Sequence, residues 1–444
     1  MTATPGSEEG GLARSIGPGL LATMVVGNVL GAGIYVVTGE VAAEVGAQVW
    51  LAFGIALGVA AISALSLCEL VTKYPGAAGV AAYVDRAFGR PTLTFVTGVA
   101  ILASGVTSAA TAARAFGGDH LQELVGVSAA AAAIAFLVTL SAINYWGVVA
   151  SLRANLAMTA VEVAGLLIVI AAALAILTQG GGDPGRPVAG GHDGPLPLVL
   201  LSGAAIAFFA FLGFEDVANL SEEVRRPRRA YPRALFGGLA VTATLYLLVT
   251  YLAVAALEPA RIAESSAPLL SVVDESPIAV PQEAFALIAL IAVANTALAN
   301  LIMGSRLLYG MSVRGVMPGA LRRVDPRRST PWVAVIVTGA AALLLSASGD
   351  LGALARTTVL LLLVVLVAMN ASAIRLRADA VSHEHFHAPA WAPWAGAITC
   401  LVLIANQVLR EDPSDALRAG AIIAAGVLLY RIGRRARGAV ASFP

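Results

Sequence analysis

The sequence predicts an all-α integral membrane protein of twelve transmembrane helices, and composition, the length of the apolar runs and the placement of charge carry that expectation. Hydrophobic residues make up 58% of the 444 and charged residues only 12%, against roughly 25% charged in an ordinary soluble domain. A hydrocarbon core of about 30 Å is crossed by about 20 helical residues. Apolar runs of that kind occur near 16–39, 47–70, 92–113, 127–147, 152–178, 196–220, 235–257, 284–309, 331–348, 352–374, 391–409 and 416–432. None alternates in the manner of a barrel strand, so helices are the spanning element left.

Charge orients the bundle. With the amino terminus inside, the cytoplasmic segments hold Arg14, Lys73, Arg86, Arg90, Arg153, five arginines over 225–233, six from Arg306 to Arg328, Arg375, Arg377 and four from Arg431 to Arg437, which is 22 of the 28 basic residues. Arg114, Arg186, Arg261, Arg356, Arg410 and Arg418 fall outside. This bias is the positive-inside signature and puts both termini in the cytoplasm of a cell membrane. The net charge of +1 conceals it. Arginine outnumbers lysine 27 to 1, which reads as the codon usage of a GC-rich genome and implies no nucleic acid partner. Cys68 and Cys400 both fall inside spans and imply no disulfide framework. The first apolar run is too long for a signal peptide and is expected to remain as the first span. The longest connections, about 25 residues, leave no room for a sizeable soluble domain.

Two of the spans are not expected to be continuous. The first reads Met24-Val-Val-Gly-Asn-Val-Leu-Gly-Ala-Gly-Ile-Tyr35, with Gly27, Gly31 and Gly33 around Asn28. Each glycine costs a helix interior about 1 kcal/mol relative to alanine, which makes the cluster a place to unwind; the alternative is close helix packing through small residues. The sixth, Phe208-Phe-Ala-Phe-Leu-Gly-Phe-Glu-Asp-Val-Ala-Asn219, meets Gly213 and then two acids. Backbone unwound in a membrane must line a cavity or meet a ligand. An interrupted helix opening each of two five-helix blocks of opposite sense is the pattern of inverted-repeat transporters. There half-helix amino termini face an anionic group and unwound carbonyls a cation, and an α-amino acid carries both.

Four stretches then resemble the amino acid, polyamine and organocation permeases, particularly their cationic-amino-acid-transporter-like members. They are Gly27 to Tyr35; Glu69-Leu-Val-Thr-Lys-Tyr-Pro-Gly-Ala-Ala-Gly79 leading to Ala87-Phe-Gly89; Phe208 to Asn219 continuing to Arg233; and Ser305-Arg-Leu-Leu-Tyr-Gly-Met311 followed by Pro331-Trp332. The resemblance implies a leucine-transporter-type 5+5 inverted repeat with helices 1 and 6 broken. The first repeat would occupy 16–178, the second 196–374, and a peripheral pair 391–432, with cytoplasmic tails at 1–15 and 433–444. It also implies a substrate site between helices 1, 3, 6 and 8. Backbone at Gly31, Ala32 and Gly33 would hold the substrate carboxylate, carbonyls of Val29, Phe209 and Leu212 its amino group, and Phe209 or Phe211 would close over it.

Glu162 lies ten residues past Leu152, roughly 15 Å deep at 1.5 Å per residue. An ionised carboxylate near the bilayer centre costs on the order of 2.5–3.5 kcal/mol, so three readings stand: a protonatable coupling group, a cation ligand, or a permanently paired structural acid. Relatives often carry lysine at the matching position, a departure that blocks direct transfer of its role. The resemblance implies that Glu215 would serve coupling or recognition of a basic substrate, and with Asn219 and Glu223 it would form a polar stripe toward the cytoplasm. Asp216 is expected to point elsewhere and cap local structure. Asn295 and Thr296, with Ser108 and Thr111, are pocket-lining candidates. The arginines of 225–233 suit anionic lipid heads. His383, His385 and His387 alternate in one loop, but a histidine tract alone lacks the ligand count of a metal site, and none is expected. No nucleotide-binding loop or zinc-protease helix is present, which argues against a hydrolysis-driven pump and a membrane protease.

The sequence thus predicts a secondary active importer of an amino acid or related amine, without catalytic residues, metal or organic cofactor. Its partners are the substrate and the lipid bilayer, and its energy source a proton gradient, with sodium kept open. An exchanger without net proton flow and a substrate sensor that does not cycle are the competing readings. Nothing in the sequence specifies an oligomeric state.

Overall fold

The structure, a computed structural model, describes residues 17–75, 79–117, 128–146, 148–189, 195–220, 224–265, 267–313, 317–328, 330–348, 351–410 and 413–440. The predicted amino-terminal tail, the centre of the 69–79 stretch and Glu223 lie outside the described residues. So do the side chains of Arg153, Asn219 and Arg431 to Arg437.

Helix accounts for nearly all regular structure, as the composition requires; among the described residues the sole extended pairing is one bridge between Asp325 and Thr330. Pro18 opens α1, Pro18–Leu30, at the one helical position where a missing N–H costs nothing. After a two-residue gap α2 runs Gly33–Val45, and after a 3₁₀ turn α3 runs Val49–Lys73. There follow α4 (Gly79–Phe88), α5 (Pro91–Phe116), α6 (Ala129–Trp146), α7 (Val148–Thr178) and α8 (Leu196–Ala207). The remaining helices are α9 (Pro227–Ala256), α10 (Pro259–Glu264), α11 (Pro268–Asp274), α12 (Gln282–Val313), α13 (Trp332–Ser346), α14 (Leu351–Leu376), α15 (Ala392–Arg410) and α16 (Pro413–Val440).

Among the described residues nine segments are long and apolar enough to cross a membrane. The first of them, Pro18–Lys73, has 56 residues, enough for two crossings at about 20 residues each. The apolar α13 has 15 residues. The chain is therefore a multi-pass, all-α membrane protein. Over the described residues each predicted run is largely covered by helix, the first with a gap at Gly31 and Ala32 and the sixth over its first half only.

Packing places α5 against α12, α13, α14 and α16, while α9 lies against α1 and α3, and α12 against α7. The largest apolar cluster extends from α1 through α3, α8 and α9 to α14, so both interrupted helices sit inside it. Interior hydroxyls largely serve their own helices: Thr107, Thr111, Thr250 and Thr357 each bond a carbonyl four residues back. Asp415, 1% exposed, accepts from Arg356 Nε at 2.6 Å and Arg418 Nη1 at 2.8 Å, which pins α16 to α14. At the end of the bundle that carries Lys73, Arg86, Arg375 and Arg377, the segment after α14 is strapped to α3. Lys73 Nζ donates to the Leu376 carbonyl at 2.7 Å and the Phe386 amide to Thr72 Oγ1 at 3.0 Å.

Candidate functional site

The site is built where two helices stop. α1 ends at Leu30 and α2 begins at Gly33, leaving Gly31 and Ala32 to turn the chain. Across from them α8 ends at Ala207, a 3₁₀ turn covers Phe208–Phe211, Leu212 is extended (φ −60°, ψ 150°) and Gly213 takes φ +101°. The two breaks touch at two points. A Cβ on Gly33 would lie 2.3 Å from Ala210 Cα, and one on Gly213 would lie 2.6 Å from the Asn28 carbonyl oxygen. Only glycine permits this approach, and at Gly213 only glycine adopts the backbone angle without strain. Gly31 meets a third element, since its Cβ would fall 2.1 Å from Thr296 Oγ1 on α12, and the Ala32 amide donates to that same oxygen. Thr296 so supplies one of the partners that an interrupted helix loses.

Around these breaks lies a cavity of about 40 Å³, room for roughly three waters at about 10–15 Å³ each. Of the sequence-predicted site residues it gathers Val29, Gly31, Gly33, Ser108, Phe209, Leu212 and Glu215, together with Thr296 and Asn300. Ala32, Phe211 and Asn295 do not line it. Phe211 is fully buried and packs edge-on against Phe53 and Tyr246, with ring centroids 6.3 and 5.5 Å away, so Phe209 is the aromatic of the pair that faces the space. Thr111 is spent on Thr107. Asp216 departs from the expectation: it lines the cavity beside Glu215, because the chain there is 3₁₀ and turn and helical spacing does not apply. The Gly213 amide donates to Glu215 Oε2 at 3.1 Å. These two acids are the only ionisable side chains on the cavity wall among the described residues.

Glu162 stands next to this cavity and not in it. It is 0% exposed near the midpoint of α7, and neither carboxyl oxygen has a hydrogen-bond partner among the described residues. The Asn295 amide is near enough to act on it but outside hydrogen-bonding geometry. Two turns before it, Asn155 Nδ2 donates to Asn295 Oδ1 at 2.8 Å, and one turn before it Thr159 packs on Gly27 of α1, where a Cβ would lie 2.3 Å from its hydroxyl. Tyr35 of α2 reaches the Glu162 carbonyl at 3.4 Å. α7 therefore touches both halves of the first broken helix as well as α12.

Tyr246 of α9 is a site residue that sequence reasoning passed over. Fully buried, it donates to the carbonyls of Val29 (2.9 Å) and Leu30 (2.6 Å), the last acceptors of α1 before the break. No local spacing could reveal a partner some 217 residues away. Tyr246→Phe removes the shared donor while keeping the ring. The expected loss is about 1–3 kcal/mol for leaving buried carbonyls unpaired, read as a lower midpoint of thermal unfolding in detergent, with the aromatic cluster intact.

The chain is similar to known proteins over most of its length. The amino acid permease family model matches residues 21–412. An uncharacterised transporter of Mycobacterium tuberculosis is 30% identical over 422 residues, covering 94% of this chain and 92% of that one. The branched-chain amino acid permease of Bacillus subtilis is 25% identical over 391 residues, covering 84% of this chain and 82% of that one. The chloroplastic cationic amino acid transporter 9 of Arabidopsis thaliana is 29% identical over 350 residues, covering 73% of this chain and 60% of that one.

Proposed function

The chain belongs to the amino acid permease family and is a transporter rather than an enzyme, and on that premise we propose that it is a secondary active importer of an amino acid or related amine, coupled to protons and working by alternating access. The observation that carries this reading is the meeting of the two breaks on one cavity. There Gly33, which opens α2, and Phe209, Ala210 and Leu212 of the turn that follows α8 line the same space. A helix amino terminus favours a carboxylate and unwound carbonyls favour an ammonium group, so the pair reads the amino acid head group.

In this reading the backbone at Gly31, Ala32 and Gly33 holds the carboxylate, with the Ala32 amide released from Thr296 when substrate arrives. The carbonyls of Val29, Phe209 and Leu212 take the amino group; that of Val29 keeps a second lone pair beside its bond to Tyr246. Phe209 closes over the substrate, Ser108 borders it, and Asn295 acts from behind through Asn155 and Glu162. Glu215 and Asp216, with no basic residue opposite them on the cavity wall among the described residues, favour a substrate whose side chain is basic. Glu162, buried and without a hydrogen-bond partner among the described residues, is the proton-coupling group and Glu215 assists it.

The chain crosses a cell membrane twelve times as a 5+5 inverted repeat, 16–178 and 196–374, with 391–432 peripheral and both tails in the cytoplasm. The broken helix at the head of each block and the inward bias of basic residues support that topology. A cavity of about 40 Å³, room for roughly three waters, is too small for an amino acid with a long side chain, consistent with a cycle in which the site opens to one side at a time. Purified protein in liposomes tests the proposal: uptake of a labelled amino acid or amine is expected to require an imposed inward proton gradient. Uptake that needs internal substrate instead would make the protein an exchanger, and binding without uptake a sensor.

A further inference from the structure

The histidine tract at the basic end of the bundle acquires a partner that the sequence does not show. Glu69, near the end of α3 and 4% exposed, brings a carboxylate oxygen to His385 and His387, and the three candidate ligand atoms all lie within 4.8 Å of one another. We propose that Glu69, His385 and His387 form a divalent transition-metal site, suited to Zn²⁺, that staples the segment between α14 and α15 to the end of α3.

The ligand set is two imidazoles and one carboxylate with room for water in the fourth position, a set that zinc accepts in tetrahedral geometry. Bonds of about 2.1 Å place tetrahedral ligand atoms about 3.4 Å apart. Closing the site from the present spacing therefore needs shifts of about 1 Å, which His387, exposed on its loop, can supply by rotation. The supporting groups are in place. Both hydrogen bonds on the Glu69 carboxylate fall on Oε2, from Arg377 at 3.0 Å and the Ala388 amide at 3.1 Å, which leaves Oε1 to a metal. His385 Nδ1 lies 3.4 Å from the His383 carbonyl oxygen, which makes it the protonated nitrogen and gives Nε2 the lone pair. Ligands oriented in this way by a carbonyl or a second donor are the usual condition of a metal site. The two rings already lie together, with centroids 4.1 Å apart.

Two cations oppose binding. Arg377 shares the carboxylate, and Lys73 stands nearby on the wall of the same recess. They weaken the site relative to an uncrowded set of the same ligands, so it suits a metal that comes and goes. His383 is turned away from the cluster: its Nε2 faces the Lys73 carbonyl at 3.1 Å.

Titration of the tag-free, full-length protein with ZnCl₂ in detergent, followed calorimetrically, tests the site. One equivalent is expected to bind, and His385→Ala and His387→Ala are each expected to weaken binding on the order of 10- to 100-fold. His383→Ala is expected to change it by less than about threefold. Zinc should raise the unfolding temperature of the parent protein and not that of the two ligand variants, since a ligand stabilises only the state that binds it. Absence of a stoichiometric site in the parent, or a loss in His383→Ala as large as in His385→Ala, would overturn the proposal; the second result would mean that the tract binds zinc as a flexible strand. None of these readouts depends on transport.

Discussion

Gly33→Ala abolishes transport while the bundle still folds. The added methyl would sit 2.3 Å from Ala210 Cα and 2.9 Å from its Cβ, and backbone cannot swing aside as a flexible side chain can. The two breaks must separate by about 1 Å to accommodate it, a displacement that costs a binding constellation on the order of 100-fold. Labelled substrate uptake into liposomes is expected to fall by that factor or more, with a matching loss of binding. Gly58→Ala in α3 is the control. Nothing lies within 4 Å of its Cβ position, so the change is expected to be neutral or stabilising by up to about 1 kcal/mol. Equal behaviour of the two variants would show that the contact between the breaks is dispensable.

Glu162→Gln separates coupling from binding. The substitution keeps shape and fixes the group in a neutral form, at a position that is 0% exposed and has no hydrogen-bond partner on either oxygen among the described residues. Because Glu162 stands outside the cavity wall, substrate affinity is expected to change by no more than a few-fold. Uptake driven by a proton gradient is expected to disappear, while counterflow between equal substrate pools continues. Gradient-driven uptake that survives unchanged would remove Glu162 from the coupling mechanism and return it to a structural role.

How much of this could be read in advance follows from the physics of each residue. The all-helical membrane class was legible because lipid imposes length and apolarity on every span. That the first span breaks was legible in its glycines, but not which of them does the breaking. α1 continues through Gly27, whose small size serves packing on Thr159, and stops only at Gly31. In the sixth span Gly213 drew attention by its chemistry, yet the helix already ends at Ala207. The Phe208–Phe211 stretch has no local reason to leave the α-helix, so its 3₁₀ turn comes from tertiary packing. Asp216 lines the cavity because the chain there is 3₁₀ and turn, where α-helical spacing does not hold. Tyr246, the Thr296 contact with Ala32 and the approach of Glu69 to His385 join residues hundreds of positions apart, and no local pattern encodes them.

If the paired breaks recognise a free amino acid head group, binding depends on both of its charges, and derivatised ligands measure that dependence. A panel of L-amino acids screened by thermal shift identifies the best ligand, whose methyl ester and N-acetyl derivative are then measured by calorimetry. Each derivative removes one charge and leaves the side chain intact. Both are expected to lose binding on the order of 100-fold, because each unpairs one helix end from its charge. Derivatives that bind within about threefold of the parent amino acid would contradict it, and would place recognition in the side-chain pocket instead of at the breaks.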